Sequence, residues 1–262
     1  MATMNENEPT ENRRTAGARL RPGMVDIHSH LIPGVDDGCV NLDQSLDTVQ
    51  RLIDTGYAAS FCTPHIWPDG DRFCDNTPSR IAEQAAWLQD EIAAAGLDYT
   101  LLPGGELRLF DGVVEWMTEY GVPVLGDSRC VLLDIWVHQW PAWADRALAW
   151  LVEHRYQPIL AHPERIKLDA DALDRTVGRL ASRGVLLQGN FHSMTGANGQ
   201  QADRLIRKWL GEDRLDLLAL DAHKPHDLDT RFDGLALVEA EFGPETVQAL
   251  TDTAPRRLLG LP

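Results

Sequence analysis

Seven short apolar runs, spaced between residues 25 and 220 and separated by amphipathic stretches, leave this chain few architectures. The runs are Val25–His28, Ala58–Cys62, Tyr99–Leu102, Cys130–Ile135, Pro158–Ala161, Val185–Gly189 and Leu215–Leu220. Their lengths and near-continuous apolar character predict strands buried on both faces. Between the first two, Leu42, Leu46, Val49, Leu52 and Ile53 recur at helical spacing and Gly56 closes the run. Helical patterns follow at 79–95, 143–154, 173–183 and 200–210, with a pair near 235–241 and 245–250. Such alternation implies a parallel sheet, either closed into a barrel or doubly wound.

The polar residues separate these two. His28/His30, His65, Glu106, Asp134, His162 and Asp221/His223 each fall at or just after the C-terminal end of a different predicted strand. A closed barrel points all those ends at one mouth. A doubly wound sheet gathers ligands mainly where its strand order reverses and would splay this set apart. The expectation is therefore one α/β barrel domain over residues 23–262, preceded by a flexible leader at 1–22. That leader carries Arg13, Arg14, Arg19 and Arg21 but lacks the apolar core of a signal peptide.

The first run opens MVDIHSHLIPGVDDG. Alternate strand side chains face the same way, so His28 and His30 project together while Val25 and Ile27 face the other side. Asp36 and Asp37 follow on a loop. Glu106 lies in PGGEL, where two glycines let the backbone pack closely, His162 in LAHPER, and Asp221 and His223 in LALDAH with the same i, i+2 parity. Imidazole with carboxylate and no cysteine suits Mn²⁺, Fe²⁺ or Zn²⁺. Acidic residues number 40 against 24 basic, a formal charge of −16 that argues against nucleic acid and anionic membranes as partners. The four cysteines show no paired spacing and no apolar run approaches the roughly 20 residues that span a bilayer, so a cytoplasmic protein with free thiols is expected.

Taken in order, DIHSHLIPGVDDG, CTPH, GGEL, DSRCVLLDIW, PILAHPERI, GNFHS, LALDAH and APRRLL resemble the polymerase-and-histidinol-phosphatase (PHP) superfamily. Within it they are similar to the manganese-dependent protein-tyrosine phosphatases of bacterial capsule and exopolysaccharide operons. The match covers residues 24 to about 258. The resemblance implies a distorted (β/α)7 TIM-like barrel with three metals, Mn²⁺ or alternatively Fe or Zn, at the C-terminal mouth. It assigns one metal to His28, His30, Glu106 and Asp221, a second to Glu106, Asp134 and His162, and a third to Asp37, His65 and His223. Arg165 stands where such phosphatases place a phosphate-binding arginine, and Arg231, after the longer loop HKPHDLDTR, is the counterpart of a second.

The function implied is hydrolysis of phosphotyrosine on protein by a metal-activated hydroxide, the partner being the tail of a bacterial tyrosine kinase. Alternatives are a PHP phosphoesterase for small phosphomonoesters such as histidinol phosphate, or a metal-bearing regulatory module. In the fourth strand the family's usual glutamate is replaced by Asp134, one methylene shorter, which leaves His138 open as a substitute ligand. Trp136, Trp140, Trp143 and Trp150 read as barrel-wall packing, whereas Trp67 and Phe73 could flank an aromatic substrate. His192 and Asn190 in GNFHS could line the mouth. Cys74 to Arg80 has the spacing of thiol-dependent phosphatases, but the loop-like IWPDGDRF before it and Asp75 beside the thiol make that spacing coincidental.

Overall fold

The computed structural model describes residues 20–70, 72, 73 and 75–261. The expected leader up to residue 19 and Cys74 lie outside these. Nine strands occur among the described residues: β1 (Met24–Ser29), β2 (Tyr57–Cys62), β3 (His65–Ile66), β4 (Thr100–Pro103), β5 (Glu106–Arg108), β6 (Cys130–Asp134), β7 (Gln157–Ala161), β8 (Leu186–Asn190) and β9 (Leu217–Ala219). Every strand pairing is parallel. One sheet runs β1-β2-β4 and the other β3-β5-β6-β7-β8-β9.

The two sheets are parts of one circuit. β2 and β3 are halves of a single stave bent at Thr63–Pro64, and β4 and β5 are halves of the next, bent at Gly104–Gly105. Each bent stave starts in the first sheet and ends in the second. The circuit closes where Ser29 of β1 bridges Ala222 just after β9 and the His30 amide donates to the Ala222 carbonyl at 2.8 Å. Seven staves thus form a distorted barrel with their C-terminal ends at one mouth. Gly105 lies close under its neighbours at the bend: a Cβ there would lie 2.5 Å from Ile66 Cδ1 and 3.1 Å from Pro123 Cβ.

The helices are α1 (Leu42–Asp54), α2 (Pro78–Ala94), α3 (Val113–Tyr120), α4 (Ala142–Glu153), α5 (Ala170–Ala181), α6 (Gln200–Gly211), α7 (Leu228–Phe242), α8 (Pro244–Gln248) and α9 (Ala254–Leu259). Local sequence fixes their starts. Asn41 and Thr77 cap α1 and α2 by accepting from the Gln44 and Arg80 amides, Pro78 sits in the first turn of α2, and Asp169 caps α5. Helix faces and strands bury one large apolar cluster, while a smaller one holds Val25, Ile27, Phe61, Leu132, Ile159 and Leu217 against Ala254 and Leu259. Leu20, placed in the leader from sequence, packs on this second cluster.

Two elements depart from expectation. α3 falls where sequence suggested no helix, and α7 begins at Leu228 rather than near 235, so Arg231 lies in its first turn instead of a loop. α7 presses against a 3-10 turn at Phe191–Thr195. Gly234 allows that approach: a Cβ there would sit 2.1 Å from the Phe191 carbonyl oxygen.

Candidate metal centre

All nine residues expected as ligands converge at the mouth. They fall into overlapping groups: His30, Asp37, His65 and His223; His28, His30 and Glu106; His28, His162 and Asp221; and Glu106, Asp134 and His162. The distribution differs from the expected one in two respects: the expected first set is split, with Asp221 grouped with His28 and His162, and His30 is shared. His30 lies between the first and third sets, its Nε2 3.2 Å from His28 Nε2 and its ring stacked on His223 at 3.9 Å. Asp134 enters the cluster, whereas His138 is exposed outside it, in a neighbouring cavity.

The spacings suit ions rather than direct pairing. His28 Nε2 is 3.4 Å from both Glu106 Oε2 and Asp221 Oδ1, and His30 Nε2 is 3.3 Å from Asp221 Oδ1. His65 Nε2 and His223 Nε2 approach Asp37 Oδ1 at 3.3 and 3.6 Å. Neighbouring ligands held about 2.1 Å from a common centre are separated by about 3.0–3.4 Å. His65 Nδ1 and Glu106 Oε2 lie 2.6 Å apart, yet both are buried without a properly aligned hydrogen bond. Contact without alignment is the geometry of two lone pairs addressing a third atom. The donor set therefore fits a cluster of divalent cations.

Neighbouring groups fix which nitrogen faces inward. His28 Nδ1 donates to Gln188 Oε1 at 3.0 Å; Gln188 Nε2 donates to Asn190 Oδ1, and Asn190 Nδ2 to Asp221 Oδ2. One amide chain thus orients ligands from β1 and the β9 end together. His30 Nδ1 donates to Asp36 Oδ2 at 2.6 Å, and Asp36 also accepts from the His65 and Gly38 amides. His223 Nδ1 donates to the Asp221 carbonyl. Each leaves Nε2 with its lone pair toward the centre. His162 and Asp221 hold backbone φ of 32° and 53°, left-handed conformations that are costly for side-chain-bearing residues and recur at functional sites.

Charge is concentrated accordingly. Burial alone would raise the Glu106 carboxyl, but His65 and His28 hold it well below the usual range; Asp221 is held low against burial by His28 and His223. Burial would lower His28, but Glu106 and Asp221 push it up to about 9. Cations must displace that proton, so binding is coupled to pH. Asp134 differs: burial raises it, as does Glu106 beside it. Its Oδ1 accepts from the Ile135 amide and its Oδ2 from the Trp136 indole.

That indole corrects one reading. Trp136 is 57% exposed and does not pack into the barrel wall, unlike Trp140, Trp143 and Trp150, which lie partly buried on the core. It meets Trp67 edge-on, and Trp67 and Phe73 both lie over His65. Arg165 donates from Nη1 to Asp221 Oδ2 at 2.9 Å. Arg231, 9% exposed, donates from Nε to the Asp221 carbonyl and from Nη1 to that of Asp227. Both arginines open on one cavity of about 350 Å³ with Asp221, His223 and His192. Sequence reasoning missed Gln188 and the supporting role of Asp36. Gln188 shares strand parity with Asn190, a signal of the same kind that marked His28 and His30.

Residues 24–260 match the family described as capsular polysaccharide synthesis, CpsB/CapC. The chain is similar to the tyrosine-protein phosphatase YwqE of Bacillus subtilis, 26% identical over 233 residues that cover 88% of this chain and 90% of that protein. It is likewise 26% identical to the putative tyrosine-protein phosphatase CapC of Staphylococcus aureus, over 76% of this chain and 77% of the other. A solved structure among those of YwqE from Bacillus subtilis and CpsB from Streptococcus pneumoniae, described as metal-dependent tyrosine phosphatases, aligns with a TM-score of 0.77. Identity there is 25%, over 90% of this chain and 94% of that one.

Proposed function

The chain belongs to the CpsB/CapC family of capsular polysaccharide synthesis, and from that premise we propose that it is a metal-dependent phosphatase acting on phosphotyrosine in proteins. The observation that carries the reading is the meeting of nine imidazole and carboxylate side chains with two arginines at one barrel mouth. His28, His30, Glu106 and Asp221 would hold one ion, Glu106, Asp134 and His162 a second, and Asp37, His65 and His223 a third. His30, grouped with residues of both sets, would lean toward either the first or the third. The oxygen- and nitrogen-rich donor set supports Mn²⁺, with Fe or Zn compatible. The chemistry such a cluster supplies when bound is Lewis acidity and the acidification of water near neutral pH.

The chain's own groups would do the rest. Arg165 uses one nitrogen on Asp221 and keeps further N–H donors for phosphate oxygens. Arg231 is fixed through Nε and Nη1, which leaves Nη2 for the same purpose. Two guanidinium groups held before substrate arrives neutralise charge on the phosphoryl group without reorganising. Trp67, Phe73 and Trp136 supply aromatic surface beside the centre for a tyrosyl ring. Phenol ionises near pH 10, so tyrosine departs without a strong protein acid. We assign the substrate to the tail of a bacterial tyrosine kinase and the setting to the cytoplasm, in keeping with a family tied to capsule synthesis. No helix among the described residues is long and apolar enough to cross a membrane.

Purified protein should hydrolyse p-nitrophenyl phosphate and phosphotyrosine peptides, stop after chelation and recover on adding Mn²⁺. Turnover that survives exhaustive metal removal overturns the scheme. Preference for small alkyl phosphates over phosphotyrosine peptides would favour the histidinol-phosphate alternative instead.

A further inference from the structure

We propose that His192 is a third phosphate-binding side chain, a neutral imidazole that donates a hydrogen bond from Nδ1 to a substrate oxygen in the cavity it shares with Arg165 and Arg231. This rests on the phosphatase reading and adds a residue to it.

The argument is a chain of donors whose direction is set at its far end. Glu164, buried behind the mouth, accepts through Oε1 from the Asn190 amide at 3.0 Å and from the Ser193 hydroxyl at 2.7 Å. With its proton spent on Glu164, Ser193 Oγ can only accept from Asn198, and the Asn198 amide nitrogen lies 2.9 Å away. The same NH₂ group is 2.9 Å from His192 Nε2. Nε2 must therefore present its lone pair, which places the ring proton on Nδ1 and leaves the imidazole uncharged. Its surroundings agree: burial lowers the ring to about 3, Asp221 opposes this, and Arg231 and Arg165 add to the lowering.

Nδ1 is thus a donor, and it is buried without a partner. The residue is only 8% exposed and lines the cavity on which both arginines open. A buried N–H without an acceptor is an unfavourable state that a bound oxyanion would relieve. Neither guanidinium offers an acceptor, since arginine only donates. The turn is held in place by α7, seated against Phe191 and His192 across Gly234.

The test uses metal-loaded full-length protein with p-nitrophenyl phosphate as substrate and inorganic phosphate as inhibitor. His192→Phe keeps a ring of similar size and removes the donor; KM and the phosphate inhibition constant should rise together by roughly tenfold, with kcat little changed. His192→Asn puts an amide nitrogen near the position of Nδ1 and should recover most of that loss. A Phe variant equal to wild type, or an Asn variant no better than Phe, overturns the proposal. A measurement on unaltered protein guards against a misfolded variant. In ¹⁵N spectra of the zinc-loaded enzyme, His192 should carry its proton on Nδ1 and that signal should move on adding phosphate. The opposite tautomer, or no response, also overturns it. Wild-type protein inert toward p-nitrophenyl phosphate sinks the phosphatase reading and this proposal with it, whereas active wild type with an unaltered Phe variant sinks only the role of His192.

Discussion

Gln188 joins His28 to Asp221 through Asn190, so one neutral side chain orients ligands drawn from opposite ends of the sequence. Gln188→Leu preserves approximate volume but frees the His28 ring and strands the Asn190 amide. Metal affinity should fall about 10–100-fold, read by calorimetric titration of the metal-free protein; unchanged affinity would remove the chain from the account. Asp221→Ala, which deletes a carboxylate shared by Arg165, Asn190 and three imidazoles, should cost at least roughly 10³-fold in kcat. His192 also makes a stability prediction. Its folded-state pKa of about 3 lies below the unfolded value of 6.5. Above pH 6.5 neither state holds the proton and stability is intact; as pH falls from there toward 3, only the unfolded chain gains it, and stability drops by up to about 4 kcal/mol. Urea unfolding of wild type and His192→Phe between pH 7 and pH 4 should show a smaller loss in the variant. The candidate ligands other than Asp37 were legible at this scale because each sits at or just after a strand end, where parity and apolar flanks mark it. Asp36 was not, since a loop carries no periodicity to say which of two adjacent aspartates turns back toward His30.

α5 and α6 are joined by one carboxylate. Asp174 accepts from the Trp209 indole, Lys208 and Arg214, with Trp209 wholly buried. These donors hold Asp174 well below the ordinary carboxylate range despite burial. Asp174→Ala leaves a buried indole N–H without an acceptor and should cost about 2–3 kcal/mol in a urea titration while leaving metal affinity untouched, because none of the hydrogen-bond partners of Asp174 is a candidate ligand. α7 is tied to function by closeness. Gly234→Ala must push the helix off the Phe191–Thr195 turn, carrying Arg231 and His192 apart, so KM should rise as well as stability fall. The long elements were readable from their periods. β3 and β5, of two and three residues, are too short for any period, and they are what break two staves across both sheets. α3 was missed because VVEWMTEY is eight residues long and opens with two β-branched valines, so pattern and propensity conflict. Pro225 made the segment after His223 look like loop, although it only begins the short 3-10 turn that leads into α7.

As a whole the molecule carries −16 and packs five carboxylates, Asp36, Asp37, Glu106, Asp134 and Asp221, around His28, His30, His65, His162 and His223. Cations bound only by the folded state must stabilise it by mass action. The melting temperature should rise with Mn²⁺ concentration and fall on chelation, and a melting curve indifferent to both would contradict the cluster. The overall architecture was legible because six of the seven strand ends bore the same kind of side chain. The division into two sheets was not, since it depends on bends at Pro64 and Gly104–Gly105 rather than on composition. The bridge from Ser29 to Ala222 has a temporal meaning. On the ribosome, the histidines of the opening segment emerge long before their carboxylate and imidazole counterparts near residue 221. A product terminated before residue 221 keeps Glu106, Asp134 and His162 but lacks Asp221 and His223, so only a chain synthesised past the ninth strand can complete the cage.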